Sequence, residues 1–280
     1  MIGVSAPGVK VAVAEPVGIV ARTMQAIRVE TVTTSFWRSL ASEFAGVFVI
    51  AYVTLIISIA ATPAFQNIGA PLAYGAALAA AYSLLGVHAY YFNPVLTLLH
   101  WFSSWCGGRC THLLHIGILA VQFAAWVLAA LLILATDTAT ALALAAPLGS
   151  PSAGDPNVYA FSTGARVMAE ILGPMMLVVA ILLWCNTPGQ EFAIGLLRAG
   201  LGFGLYRVSG AAFDPFYEVS VRLAANVRSG VSIPHGNDLW IGMLMPFVGG
   251  IAAYGLWYFF IRHVRHTANS PYIALAMRSA

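Results

Sequence analysis

The sequence contains a stretch of 40 residues, from Gly69 to Gly108, without a single Asp, Glu, Lys or Arg. A membrane-spanning helix needs about 20 apolar residues, so this stretch is too long for one span. Of the whole chain, 60% is hydrophobic and only 8% is charged, whereas soluble domains carry about 25% charged residues. Most of the outer surface must therefore face lipid, and the sequence predicts an all-α integral membrane protein.

Six segments are long and apolar enough to be spans: Leu40–Ala60, Gly69–Ala89, Leu113–Ala135, Val167–Cys185, Phe192–Gly210 and Leu239–Ile261. They predict one membrane domain over residues 38–262, between an N-terminal extramembrane tail (1–37) and a C-terminal tail (263–280). The first 35 residues hold no apolar run typical of a secretory signal peptide; a transit-like presequence is the alternative. The loop 136–163 is expected to fold over the outer mouth.

The distribution of basic residues predicts the orientation, because Lys and Arg are enriched in short cytoplasmic loops. If the N-terminus is inside, that side holds Lys10, Arg22, Arg28, Arg38, Arg109, Arg262, Arg265 and Arg278, against Arg166, Arg222 and Arg228 outside. Arg198 and Arg207 lie within the fifth span and are left out. Both termini are therefore expected on the cytoplasmic or matrix-like side, in a membrane that the sequence does not specify.

Two Xaa-Pro pairs mark segments that do not fit the six spans. Asn93-Pro94 and Asp214-Pro215 are each followed by an apolar excess of about half a span. Proline suits the first turn of a helix and disfavours helix in the residue before it. Each pair therefore predicts a short helix that begins inside the membrane.

The second half of the chain (162–262) repeats features of the first (38–135). The matching pairs, at separations between 121 and 127 residues, are Glu43-Phe-Ala-Gly46 with Glu170-Ile-Leu-Gly173, Asn93-Pro94 with Asp214-Pro215, and Gln122 with Pro246. With three spans in each half, the second copy enters the membrane from the opposite side. The two half-helices then meet near the midplane with their positive N-termini facing, which repels cations there. Free N–H groups of the re-entrant loops are the expected partners of Glu43 and Glu170, unless these carboxylates lie at the interface.

These residues resemble the aquaporin (major intrinsic protein) family across roughly residues 38–262. The family pattern is an Asn-Pro-Ala box in each half, a Glu in the first and fourth spans, and Pro-xx-Gly in the sixth. Asn93-Pro94-Val95-Leu96-Thr97 resembles the first box, and Pro246-Phe-Val-Gly249 the sixth-span motif. The resemblance implies six spans with two re-entrant half-helices in an inverted repeat, and a homotetramer with one pore per subunit.

The second box departs from the family pattern, since Asp214-Pro215-Phe216-Tyr217 stands in place of Asn-Pro-Ala-Arg. Aspartate caps a helix as well as asparagine does, but an ionised carboxylate only accepts hydrogen bonds. A carboxylate at the midplane would also weaken cation exclusion. Asp214 is either part of the pore or a purely structural cap.

By resemblance, Tyr217 replaces the arginine of the family's narrow outer filter. The other filter residues would be Gly202, Ala211 and either Tyr74 or Ala73. The last position is ambiguous because the segment Gly86–Phe92 is one residue shorter than the family spacing. Gly202 widens such a filter, and Tyr217 removes a cation barrier while adding an aromatic wall. The pore is thus either a wider solute path or a plugged one. Arg207 either supplies the missing filter charge, pairs with Glu218, or is a plain vestibule charge.

Two clusters of side chains near the first box need an interpretation. Tyr90, Tyr91 and Phe92 either narrow the inner mouth or anchor in the core. Cys106, Cys110, His112 and His115 loosely resemble a metal site but match no established zinc spacing, so no metal and no cofactor is expected.

Two functions follow from these features. The first is a passive channel for water or small neutral solutes such as glycerol, urea or ammonia. The second is a transport-silent structural subunit of a larger membrane assembly, suggested by the altered second box. Besides transported solutes or partner subunits, the protein is expected to contact membrane lipid. No motif indicates an enzyme. The positive charge is too weak and scattered to indicate nucleic-acid binding.

Overall fold

The computed structural model describes residues 34–60, 63–86, 91–106, 112–136, 162–184, 189–211, 213–229 and 239–261. These residues form eight α-helices: α1 Thr34–Ala60, α2 Pro63–Leu85, α3 Pro94–Cys106, α4 His112–Thr136, α5 Thr163–Trp184, α6 Gln190–Ser209, α7 Pro215–Ser229 and α8 Leu239–Leu256, which continues as a π-helical segment at Trp257–Ile261. Most of the N-terminal tail, the C-terminal tail and most of the predicted outer loop lie outside the described residues.

Five of these helices, α1, α2, α4, α5 and α8, are long and apolar enough to cross a membrane. Helix α6 coincides with the predicted fifth span to within two residues but is not among the five. It carries Glu191, Arg198 and Arg207 within 20 residues. Charged side chains at membrane depth are stable only against protein or a water-filled cavity, and Arg198 is accordingly buried against the other helices.

Helices α3 and α7 begin at the two prolines where short helices were predicted, Pro94 and Pro215. They contain 13 and 15 residues, so at 1.5 Å per residue they are about 20–23 Å long. This is less than the roughly 30 Å of hydrocarbon that a spanning helix must cross. Both are therefore half-helices, and proline suits their first turn because its missing N–H has no partner there in any helix.

Helices α2 and α6 cross closely at two facing glycines. A Cβ added at Gly75 would collide with the Gly195 carbonyl, and one added at Gly195 would collide with the Gly75 carbonyl. Small residues allow backbones to approach in this way in membranes. Helix α1 packs on α4 and α5 packs on α8, so the two halves of the chain make corresponding contacts around α3 and α7.

The outward faces of the long helices carry large apolar side chains. Exposed examples include Leu72, Leu84, Ile116, Phe192, Leu196, Phe203, Ile251 and Phe259. A soluble protein rarely exposes so many large apolar groups, and lipid is the solvent that suits them. The chain is an integral membrane protein.

Candidate pore and outer filter

Glu43 of α1 holds the loop that precedes α3. Its carboxylate is fully buried and accepts hydrogen bonds from the backbone N–H groups of Tyr91 and Phe92, both at 2.9 Å. The Gln122 side-chain amide of α4 donates to the same carboxylate at 2.9 Å. A buried carboxylate is costly without such donors, and here it gives a loop inside the membrane the acceptors that its backbone requires.

Glu170 of α5 holds the loop that precedes α7 in the corresponding way. It accepts a hydrogen bond from the Phe213 backbone N–H at 3.2 Å and one from the Ser209 hydroxyl at 2.7 Å. Ser209 in turn accepts from the Ala211 N–H at 3.1 Å. The structure thus places both glutamates against loop N–H groups, buried within the protein.

Each glutamate is followed three residues later by a glycine that leaves room for an aromatic ring. A Cβ at Gly46 would collide with the Phe92 ring, and a Cβ at Gly173 would collide with the Phe213 ring. Both phenylalanines have left-handed backbones, with φ of 46° and 50°. For residues other than glycine this conformation costs about 1–3 kcal/mol, which the glutamate hydrogen bonds and the buried rings offset.

The two Xaa-Pro boxes meet through a direct hydrogen bond. The Asn93 amide donates to the Phe213 carbonyl at 3.0 Å, while its oxygen caps α3 by accepting from the Val95 N–H at 2.8 Å. On the other side, Asp214 Oδ1 caps α7 by accepting from the Phe216 N–H at 2.9 Å. The N-termini of the two half-helices are therefore adjacent.

The second oxygen of Asp214 is covered by two aromatic side chains. Trp126 Nε1 donates to Oδ2 at 3.1 Å, and the Tyr74 hydroxyl donates to it at 3.3 Å. The Trp126 ring also lies edge-on to Tyr217, with 4.9 Å between the ring centroids. As a result Asp214 has no exposed surface, and the Tyr74 hydroxyl lies directly against the second box.

Tyr74 also lines a small cavity. It is lined by Thr54, Ala70, Pro71, Tyr74, Arg198, Tyr206, Gly210, Ala211 and Tyr217. The volume of the cavity is about 20 Å³, which is room for about one water molecule. The buried Thr54 hydroxyl makes no hydrogen bond to any described group, so a water molecule in this cavity would supply the partner that it lacks.

Arg198 is the charged residue in the lining of this cavity, and it was not among the predicted filter residues. It is 3% exposed, and its Nη2 donates to the Ala211 carbonyl at 2.8 Å. The guanidinium carbon lies 4.0 Å from the centroid of the Tyr74 ring and 4.6 Å from that of Phe213. An arginine inside a spanning segment, with a glycine one turn later, is the signal that could have identified it.

The architecture described above has a counterpart among solved structures, of which 63 chains match. The aquaglyceroporin from Plasmodium falciparum matches with a TM-score of 0.60 at 15% identity, over 81% of this chain and 97% of that one. The chain has an aquaporin fold. At this identity the likeness establishes the fold alone. No family model and no curated protein matches the sequence.

The aquaporin fold confirms the predicted fold class, and within it the predicted filter residues are only partly together. Tyr74, Ala211 and Tyr217 line the cavity, whereas the alternative Ala73 is buried but does not. Gly202 lies beside the Arg198 guanidinium instead, since a Cβ there would be 2.8 Å from Nη1. The side chain of Arg207 lies outside the described residues.

The aromatic and histidine residues near the first box make different contacts. Phe92 is in the main core. The Tyr91 hydroxyl is hydrogen-bonded to His100 Nδ1 at 2.7 Å, and the same nitrogen lies 2.9 Å from His115 Nε2. Trp101 Nε1 donates to His112 Nδ1 at 2.7 Å. Tyr90, Cys110 and the Cys106 side chain lie outside the described residues, among which no group of three metal-ligating side chains is arranged to hold an ion.

Proposed function

We propose that this protein is an aquaporin-like channel for the passive transport of water or comparably small neutral molecules. The observation that supports it best is the water-sized cavity next to the joined boxes, lined by three residues expected in an outer filter. The proposal includes an inverted repeat of the two halves and a homotetramer with one pathway per subunit.

The size of the cavity sets an expected order of solutes. With room for about one water molecule, it admits water or ammonia without displacing a side chain. Urea and glycerol are larger, and either would have to move the Tyr74 ring or the Arg198 guanidinium. We therefore expect water to pass faster than urea, and urea faster than glycerol.

The second candidate is a transport-silent structural subunit, and the cover over Asp214 favours it. A molecule crossing between the boxes must pass Tyr74, which is hydrogen-bonded to Asp214 and only 4% exposed. A protein retained for its shape has no need to open this contact. Such a subunit would co-purify with a partner complex in fixed stoichiometry.

Stopped-flow osmotic shrinkage of proteoliposomes separates the two candidates. The full-length chain should accelerate water efflux above that of empty vesicles prepared in the same way, with slower entry of urea and slower still of glycerol. A water rate equal to that of empty vesicles, from protein that is folded and monodisperse, would overturn the channel proposal. Fixed-stoichiometry partners in a mild-detergent purification would then support the structural subunit.

A further inference from the structure

We infer that Arg198 of α6 supplies the cation barrier of this pathway, in place of the half-helix arginine that Tyr217 replaces. This inference rests on the proposed pathway through the fold, although its test does not require the wild-type protein to conduct water. The juxtaposition that carries it is a buried guanidinium lining the same cavity as Tyr74, Ala211 and Tyr217.

The arginine is held at a fixed position by three contacts. Nη2 donates to the Ala211 carbonyl at 2.8 Å, and the guanidinium lies over the faces of Tyr74 and Phe213 at 4.0 and 4.6 Å. Cation–π contacts within about 6 Å are attractive and strengthen when water is excluded. A charge held in this way at the wall of a cavity acts on every ion that enters.

Space for the guanidinium comes from a glycine one helical turn later. A Cβ at Gly202 would lie 2.8 Å from Arg198 Nη1 and 2.8 Å from Pro71 Cβ. Gly202, which was predicted to be a filter residue, thus makes room for the guanidinium of Arg198 from the same helix. Gly202 and Tyr217 are two predicted filter residues that this one arginine links.

The surrounding carboxylates make the positive charge necessary. Glu170 and Asp214 are the acidic residues whose charges act on Arg198. Both oxygens of Asp214 face donors on Phe216, Trp126 and Tyr74, and neither carboxylate lines the cavity. A cation in the cavity therefore meets the guanidinium first. Without it, two carboxylates behind the wall would attract the cation instead.

The test compares potassium flux in vesicles containing Tyr74→Ala with flux in vesicles containing Tyr74→Ala/Arg198→Gln. Tyr74→Ala removes the ring next to the boxes and leaves the Ala211 and Phe213 contacts of Arg198 in place. Glutamine removes the charge while keeping an N–H donor for the Ala211 carbonyl. We expect the double variant to pass potassium about a hundredfold faster or more, as for loss of a unit charge a few ångström from the path at an effective dielectric constant near 20. Tyr74→Ala/Arg198→Lys should stay near the single variant, and so should Tyr74→Ala/Arg38→Gln, because Arg38 is exposed on α1.

Equal potassium flux in the folded single and Gln double variants would overturn the inference. If the Gln double variant does not fold, Arg198→Gln in the wild-type background must raise potassium flux above wild type, and an unchanged flux is equally contradictory. Water efflux through the wild type decides the proposed function separately. A potassium leak confined to variants without the charge supports Arg198 even if the wild type passes no water.

Discussion

Replacing Glu43 by glutamine tests whether the carboxylate is required to hold the first re-entrant loop. The two carboxylate oxygens accept three hydrogen bonds, from the N–H groups of Tyr91 and Phe92 and from the Gln122 amide. Glutamine has one acceptor oxygen and one donor group. Even if Gln122 turns its own amide over, at least one of the two backbone N–H groups then faces another donor.

The expected loss is the sum of an unmade bond and weakened ones. A buried N–H without an acceptor costs about 1–3 kcal/mol, and bonds to a charged group are stronger than neutral ones by about 1 kcal/mol. Glu43→Gln should therefore destabilise the protein by about 2–5 kcal/mol. At about 2–4 °C per kcal/mol, this lowers Tm by about 4–20 °C.

The assay is thermal unfolding of purified protein in detergent, followed by tryptophan fluorescence. The matched control is Glu191→Gln, because Glu191 is a partly exposed residue in the first turn of α6 where loss of charge costs only about 0.3–1 kcal/mol. If the two variants melt at the same temperature, Glu43 does not hold the loop and the argument for both half-helix frameworks fails.

Three further predictions use the same melting assay. Gly46→Ala drives a methyl group into the Phe92 ring and should cost about 1–3 kcal/mol. Its control is Gly204→Ala, which meets no atom within 4 Å and should be neutral; equal effects would show that Gly46 is not needed to make room for the Phe92 ring. Trp126→Phe removes the N–H donor to Asp214 and should cost about 1.5–3 kcal/mol, more than Trp240→Phe on an exposed face; the reverse order would show that the contact is unimportant. Gly195→Ala pushes α6 away from the Gly75 carbonyl and should lower Tm, with Gly255→Ala unchanged, and a normal Tm would contradict the close crossing.

Most of the fold follows from local patterns that a sequence displays directly. The uncharged run, the two Xaa-Pro pairs and the spaced glutamates locate the spans, half-helices and loop supports, because membrane burial forces every backbone group and carboxylate to find a partner. The helix starts differ: α1 and α2 begin at Thr34 and Pro63, six residues before the predicted spans, since a helix can continue beyond its apolar part.

The site was harder to predict because its key contacts join residues far apart in the chain. Nothing in the sequence brings Trp126 to Asp214, 88 positions away, or Tyr74 to Asp214, 140 positions away. Arg198 was visible as an intramembrane charge, but its contact with Ala211 depends on a left-handed backbone at Ala211, with φ of 48°. Sequence patterns identify which polar groups need partners, and the packing of α2, α4 and α6 decides which partners they find.

The most direct test of the pathway is the rate of osmotic water efflux through Tyr74→Ala compared with wild type. Tyr74 both lines the cavity and donates a hydrogen bond to Asp214 of the second box, so its removal should raise the water rate per protein severalfold. Tyr254→Ala, which removes the same side chain from a partly exposed position on α8, should leave the rate unchanged. A folded Tyr74→Ala protein with the water rate of wild type would contradict a pathway past this residue.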